Sequence, residues 1–362
     1  MSTSTRLISV DVFRGLTIAA MILVNYPGSH QHNYAPLVHS HWNGITPADF
    51  IFPFFIFIVG VSIVLSFTKQ LEAAKPRNEM VKKILSRSFK IYTIGFFLHY
   101  LPHFDFNKID LFGVLQRIAI VFLVCALLFI YTNRKTQLAV LGGILLFYWI
   151  SMSFISTPAF VAGTMEPGLN FASWFDLLFL PAQMFGDKGW NAEGIFSTFP
   201  AIASGITGML AGRLLVSRKI SENTLIWLFT AGILSIWAGS IWDWQFPINK
   251  KVWTSSFVLY TSGWASVVLA ISLWLFDFRQ YTNNWIARAG VILGTNAIAV
   301  YVVADLFETL YKHTLIHDRV YQTLTDVGLT APNASLIWAM ISVSSCFLVA
   351  LILYRKNIYI KL

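Results

Sequence analysis

The chain has 362 residues, 56% of them hydrophobic and only 12% charged, with a mean hydropathy of +0.64. Average soluble chains carry about twice that share of charge, so an ordinary soluble domain is excluded. The formal net charge of +9 invites a nucleic-acid reading, but the cations sit at the ends of apolar segments, as in a membrane protein, and no nucleic-acid partner is expected.

A hydrocarbon core needs roughly 20 apolar residues per helix. About ten such segments follow one another, at 8–26, 49–68, 82–99, 111–131, 137–155, 196–216, 223–242, 253–275, 286–311 and 334–354. Backbone groups in lipid must be satisfied within the segment, which predicts helices. The segments are too long and too continuously apolar for alternating barrel strands. The expectation is an all-α integral membrane protein: a polytopic bundle of about ten transmembrane helices, forming a single domain over 1–362. Met1 to Tyr26 has the look of a secretory signal, but Asp11 and Arg14 interrupt its apolar run and no small-residue cleavage site follows, so it is kept as a span. The longest extramembrane stretch, 156–195, holds Pro158, Pro167 and Pro181. Its part FASWFDLLFLPAQMFG (171–186) is apolar and aromatic, and is expected to lie in the interface or to dip into the bundle. Cys125 and Cys346 fall in the fourth and tenth spans and give neither a disulfide framework nor a metal pair.

Charge orients the bundle. Arg6, Lys69, Lys75, Arg77, Lys82, Lys83, Arg87, Arg134, Lys135, Arg213, Arg218, Lys219, Arg279, Arg288, Arg355, Lys356 and Lys361 all fall on one side if the N-terminus is cytoplasmic. The opposite loops hold only Lys108, Lys188, Lys250, Lys251, Lys312 and Arg319. This is the positive-inside bias, and it predicts both termini in the cytoplasm. All eight histidines then fall near the outer side: His30, His32, His39, His41, His99, His103, His313 and His317. They form close pairs, but no cysteine or carboxylate is patterned with them, so no metal is expected.

The stretch Leu37 to Gly60, LVHSHWNGITPADFIFPFFIFIVG, drives a polar cluster straight into an apolar helix. Groups placed there meet both water and the mouth of a helical bundle, and His39 is the first candidate for chemistry. Asn25 ends the first span. Trp42, Asn43 and Asp49 follow His39, Glu193 precedes the sixth span, and Asn249 and Lys250 precede the eighth. Topology puts these at one depth, and an aromatic face, carboxylates and amides are what a sugar site uses. Asp11 and Arg14 are three residues apart and can pair. Arg117 lies near the outer end of the fourth span, where the alternatives are function or snorkelling to the interface.

Six stretches carry a family resemblance: RLISVDVFRGLTIAAMILVN, HSHWNGITPADFIFPFFIFIVGVS, GVLQRIAI (113–120), AEGIFSTFPAI (192–202), INKKVWTSSFVLY (248–260) and GTNAIAVYV (294–302). In this order they resemble the membrane core of the heparan-alpha-glucosaminide N-acetyltransferase family. The resemblance covers most of the chain and is to the ten-helix core, without the family's additional N-terminal lumenal region and span. It implies transfer of an acetyl group from cytosolic acetyl-CoA, as co-substrate, to a glucosamine amine on the other side of the bilayer. The family's active histidine falls on His39, in the match to H-x-x-W-N-G, and Asn25 matches the asparagine implicated beside it. Asn191 and Ala192 stand where the family often has Asp-Pro before Glu-Gly.

On this reading a neutral imidazole, with an ordinary pKa near 6.5, either attacks the thioester and carries the acetyl group or acts as general base on the sugar ammonium. Asn25 orients the ring or donates to the developing oxyanion. Trp42, Asn43, Asp49, Glu193, Asn249 and Lys250 are expected at the acceptor, with Asp49 or Glu193 binding its cationic amine. Arg14, Lys90, Arg117 and Arg213 are the candidates for CoA binding. The implied partners are an amino-sugar or glycan acceptor and the bilayer, with a homodimer left open. Short loops and the lack of a targeting extension point to a bacterial cytoplasmic membrane. The rival reading is an amino-sugar or oligosaccharide transporter, or less favourably a metal carrier. Ten spans, intramembrane ions and helix breaks near Gly290 and Gly294 fit a carrier as well.

Overall fold

The computed structural model describes residues 7–100, 111–181, 189–217 and 221–360. Arg6, Lys108, Lys188, Arg218, Lys219 and Lys361, invoked by the charge pattern, and His103 lie outside them. The described residues form thirteen α-helices and no extended sheet. In chain order these are α1 (Ile8–Asn25), α2 (Ile51–Glu72), α3 (Arg77–Tyr100), α4 (Val114–Tyr131), α5 (Arg134–Phe154), α6 (Phe171–Phe179) and α7 (Ile195–Ser217), then α8 (Glu222–Asp243), α9 (Ser255–Ser272, extended by a π turn over Leu273–Phe278), α10 (Trp285–Thr295), α11 (Ala297–His313), α12 (Ile316–Asp326) and α13 (Ala331–Arg355).

The protein is a polytopic helical membrane protein. Eight of the described helices are long and apolar enough to cross a bilayer, and α10 with α11 makes a ninth crossing if the bent pair is one span. Two of the ten expected segments, both helical in the structure, fall outside those eight. The segment 286–311 is broken, turning by 82° between α10 and α11. The segment 82–99 forms a helix of sufficient length in α3, but Lys82, Lys83, Arg87 and Lys90 run deep into it and remove the hydropathy of a span. Met80, Ile84, Ser88, Ile91 and Gly95 are its buried residues. That spacing gives one helical stripe, which packs on α4. Arg87 lies over the Phe122 ring at 4.7 Å.

The chain groups into two compact units. The first comprises Met1–His39, Thr46–Phe55 and Val268–Leu362. Its centre is the crossing of α1 and α10. A Cβ on Gly15 would lie 1.9 Å from the carbonyl oxygen of Gly290, and one on Gly294 would lie 2.0 Å from that of Asp11. Only glycine allows backbones this close, as small residues do between membrane helices. Asp277 caps α1 from the far end of the sequence, accepting from the N–H groups of Ile8 and Ser9, each at 3.0 Å. These are donors that the first turn leaves orphaned. Asn296, at the α10–α11 break, accepts from the N–H of Ile360 at 2.8 Å and donates to the carbonyl of Ile358 at 3.0 Å, pinning the C-terminal segment.

The second unit comprises Ser40–Ile45 and Ile56–Val267. One of its packed layers is an aromatic cluster in which Tyr148, Phe171, Phe196 and Phe246 are buried, with Trp42, Trp149, Trp174 and Phe175 packed against them. Helix α6, expected at the interface or dipping inward, is nine residues long and too short to cross a bilayer. Its residues Phe171, Ala172, Ser173 and Asp176 are buried, and Asn170 caps it by accepting from the Ser173 N–H at 3.0 Å.

Candidate active site

In the first unit a tight turn sets up His39. Pro47–Phe50 is a 3₁₀ turn leading directly into α2, and Thr46 with Asp49 makes a capping box at its start. Asp49 is fully buried. Its Oδ2 accepts from the Thr46 N–H at 2.9 Å and lies 3.1 Å from the Thr46 hydroxyl. Its Oδ1 lies 2.8 Å from Nδ1 of His39, whose side chain is 31% exposed. An ionised carboxylate only accepts, so the ring proton sits on Nδ1 and Nε2 keeps its lone pair. Asp49 therefore engages the histidine and the turn, where the sequence had placed it at the acceptor amine.

Asn25 is half-buried at the end of α1. Its neighbour Tyr26 is buried and donates to Asp305 of α11. Arg14 donates to Asp11 at 3.3 Å and to the carbonyl of Gly294 at 3.2 Å, as the three-residue spacing foretold. Near this end of α1 lies a cavity of about 520 Å³. It is lined by Ile8, Asp11, Ala287, Arg288, Ile292 and Tyr354 among others. Its volume falls within the usual range of small-molecule pockets. Fourteen residues of α1 separate Asp11 from Asn25, about 21 Å of helix.

In the second unit four sequence motifs meet. Gly44 of HWNG donates its N–H to the carbonyl of Ile248 at 2.8 Å, and Asn43 accepts from the Asn249 amide at 3.0 Å. Asn249 is fully buried and its oxygen accepts from the N–H groups of Lys251 at 2.7 Å and Val252 at 3.2 Å. The sequence placed Asn249 at the acceptor; here its side chain is used to hold this loop and to tie HWNG to it. Lys250 is half-buried in the same loop. Trp42 donates from Nε1 to the carbonyl of Met165 at 2.6 Å and meets Trp190 edge-on, ring centroids 5.0 Å apart.

Arg117, from GVLQR, is 1% exposed and does not snorkel. It donates to the Gly194 carbonyl at 3.2 Å and to the Ser197 hydroxyl, both from the AEGIFST stretch, and lies 5.2 Å from the centre of the Trp253 ring. Trp253 is fully buried and donates to the Ser204 hydroxyl at 3.1 Å. Glu193 is half-buried just before α7. Arg213 stands near the other end of α4, bonded to Gln137 at 2.8 Å and stacked 4.5 Å over Phe129. About 22 Å of helix separates residues 117 and 132, so Arg117 and Arg213 do not share one phosphate site. Lys90 is exposed on α3.

One residue escaped the sequence reading. Asp176 of α6 is 2% exposed, and its Oδ1 accepts from the Phe196 N–H at 2.8 Å, at the start of α7. Burial pushes its carboxyl up to about 6 against the lowering effect of the Phe196 N–H, of Arg117 and of the Ile195 N–H. Its only sequence signal is a single acid within an aromatic run.

These arrangements can be set beside known proteins. The family described as heparan-alpha-glucosaminide N-acetyltransferase, catalytic, matches residues 6–240. The heparan-alpha-glucosaminide N-acetyltransferase of Homo sapiens is 26% identical over 418 aligned residues, covering 99% of this chain and 60% of that protein. That of Mus musculus is 27% identical over 420, covering 100% and 61%. The chain thus spans about 60% of the length of these relatives. With the family match running over more than half of its residues and taking in His39, Arg117 and Glu193, the chain belongs to the heparan-alpha-glucosaminide N-acetyltransferase catalytic family.

Proposed function

We propose that this chain is a transmembrane N-acetyltransferase that moves an acetyl group from acetyl-CoA to the amine of a glucosamine-type sugar, with His39 as the reacting base. The observation that carries the reading is the buried Asp49 carboxylate, fixed by Thr46 and set 2.8 Å from Nδ1 of the half-exposed His39. This is how a catalytic imidazole is oriented, with its proton held on Nδ1. In one route Nε2 attacks the thioester carbonyl, the C–S bond breaks and CoA leaves as thiolate, which takes a proton from the sugar ammonium; the amine then attacks the acetyl group, the bond to Nε2 breaks, and the new amide nitrogen loses its remaining proton to the ring. In the other, Nε2 removes a proton from the sugar ammonium, the amine attacks the thioester directly, the C–S bond breaks, the ring returns its proton to the departing CoA thiolate, and the amide nitrogen loses its remaining proton to water. Asp49 stabilises the positive ring in either case. Asn25 is kept as donor to the oxyanion, and Glu193 as partner of the acceptor's cationic amine, with Trp42, Asn43 and Lys250 around it. Arg117 and Asn249 are read as the supports of that loop layer.

The positive-inside pattern supports donor entry from the cytoplasm, both termini cytoplasmic, and a bacterial cytoplasmic membrane as the location. On that side the 520 Å³ cavity of the first unit supplies a place for the charged end of acetyl-CoA. Arg288 offers a guanidinium for phosphate and Asp11 an acceptor for amine or hydroxyl groups, with Arg14 behind it. Lys90 and Arg213 are retained as cations that attract the donor to this face.

The test is release of free CoA by purified protein given acetyl-CoA and glucosamine, with His39→Ala as control. The 82° break between α10 and α11 is the one observation that favours a carrier. A carrier shows flux in sealed vesicles without chemistry, whereas CoA release in detergent demands an enzyme.

A further inference from the structure

The start of α7 is held from two sides. Arg117 of α4 takes its Gly194 carbonyl and the Ser197 hydroxyl. From the other side Asp176 of α6 reaches its first-turn amides, with the Phe196 N–H at 2.8 Å. The fit around the carboxylate is close: a Cβ on Gly194 would lie 1.8 Å from Oδ2 of Asp176. Both charged groups are nearly or fully buried, at 1% and 2% exposure. Glu193 lies immediately before this clamped turn, and its backbone N–H is held by the Asn191 side chain at 2.8 Å. A carboxylate on orphan first-turn N–H groups is a favourable use of the helix dipole, but it is unusual for it to come from another helix through a glycine-sized gap.

We propose that Asp176 is a positioning residue for the acceptor side of the site: from α6 its carboxyl group fixes the first turn of α7 and, through it, the side chain of Glu193. The proposal rests on the reading of Glu193 as partner of the acceptor amine. Arg117 from α4, Glu193 before α7 and Tyr148 from α5 are the charged and titratable groups that act around this clamp.

The clamp carries a pH signature that a merely space-filling residue lacks. Clamped, the carboxyl titrates near 6 because of burial. Once α6 lets go of α7 it returns to the ordinary range near 3.9. Between these values the open form binds fewer protons, so opening becomes easier as pH rises from about 4 to about 6 and levels off above. A shift of about two pH units corresponds to about a 100-fold change in the opening equilibrium.

The experiment is hydrogen exchange of the α7 first-turn amides from pH 4 to 7.5, corrected for intrinsic rates, on wild type, Asp176→Asn and Asp176→Ala, with KM values for acetyl-CoA and glucosamine on the same preparations. In wild type, protection of residues 195–196 falls about 100-fold across the window. Asp176→Asn keeps an amide oxygen for the Phe196 N–H, stays protected at every pH and holds the glucosamine KM within about threefold. Asp176→Ala loses protection at every pH and raises the glucosamine KM about tenfold or more, leaving that of acetyl-CoA within twofold. Protection in Asp176→Ala equal to that of wild type at every pH overturns the clamp. Lost protection in Asp176→Ala with both KM values unmoved, or moved equally, refutes the link to Glu193. If wild type acetylates no amino sugar, the acetyl-transfer reading fails, and with it the acceptor half of the proposal, while the exchange result still decides what Asp176 does to α7.

Discussion

Replacing Asp49 by asparagine changes almost nothing in shape and should inactivate the protein through one proton. The carboxylate serves two clients. Oδ2 receives the Thr46 N–H at 2.9 Å, and Oδ1 faces Nδ1 of His39 at 2.8 Å, while the Thr46 hydroxyl gives its proton to the Val38 carbonyl at 2.7 Å. An asparagine has a single oxygen, and the Thr46 N–H claims it. Its NH₂ group then faces the histidine, Nδ1 must accept, and the ring proton moves to Nε2. A ring protonated there can neither attack a thioester nor take a proton. Restoring the active tautomer sets two donors face to face, and leaving a buried donor unsatisfied costs about 1–3 kcal/mol. At about 1.4 kcal/mol per tenfold, kcat should fall about 5- to 150-fold on this term alone. Loss of the charge that stabilises the imidazolium adds to it, and the same exchange in a serine protease triad costs about 10⁴. The assay is CoA release followed with a thiol reagent on protein in detergent, with monodispersity checked on a sizing column. A folded Asp49→Asn protein with kcat within twofold of wild type would refute the orientation of His39 argued here.

His39→Ala should stay folded and lose CoA release altogether. In the acyl-imidazole route radiolabelled acetyl-CoA alone marks wild type and not this variant, whereas in direct transfer neither is marked. Arg288→Gln removes the guanidinium at the 520 Å³ cavity. Its KM for acetyl-CoA should rise about tenfold, as expected for one charge-assisted contact to phosphate, with the glucosamine KM unmoved; equal shifts in both would discard the cavity as donor site. Gly294→Ala forces a Cβ to within 2.0 Å of the Asp11 carbonyl, backbone against backbone. Since neither chain has a side chain to swing away, the loss should reach the upper end of overpacking costs, about 3 kcal/mol, visible as a drop of several degrees in the thermal midpoint. A midpoint unchanged within a degree would mean that the α1–α10 crossing is looser than described.

Apolar run length made most helices legible before any coordinates. The segment 8–26 is α1, 196–216 is α7 and 334–354 is α13, each within three residues at either end. Where the reading failed, hydropathy was the wrong variable. Both halves of 286–311 are apolar, so hydropathy does not mark the 82° turn, although Gly290 and Gly294 hinted at a break close by; the break is held by the Asn296 bonds to Ile358 and Ile360, more than sixty residues away. In α3 the C-terminal half is apolar enough to read as a span, and the helix begins five residues before the expected segment, at Arg77, taking in the cations that the sequence put at its start. The exposed amphipathic helix α12 was hidden inside what looked like a connection. In the candidate site His39 was legible because a polar cluster against an apolar run stands out. The partner of Arg117 was not, because Gly194 and Ser197 lie 77 and 80 positions along the chain.

The same geometry separates scaffold from chemistry among polar residues that the sequence ranks alike. At a membrane boundary every irregular turn leaves backbone groups that neither helix nor lipid can satisfy, and each one left unpaired costs about 1–3 kcal/mol. Asn249 answers two such N–H groups and reaches a third residue in Asn43. Thr254 takes the Asn249 N–H at 3.0 Å and gives its proton to the Pro247 carbonyl at 2.9 Å. Arg117 and Asp176 do the like for the start of α7. A side chain that closes the backbone around it has little left to offer a substrate. His39 is the contrary case: its carboxylate partner is fully buried while its own ring is about a third exposed. A buried orienting carboxylate beside a partly exposed ring is the division of labour that the proposed acyl transfer requires, and it is the reason for proposing His39, among the polar groups of the HSHWNG stretch, for the chemistry.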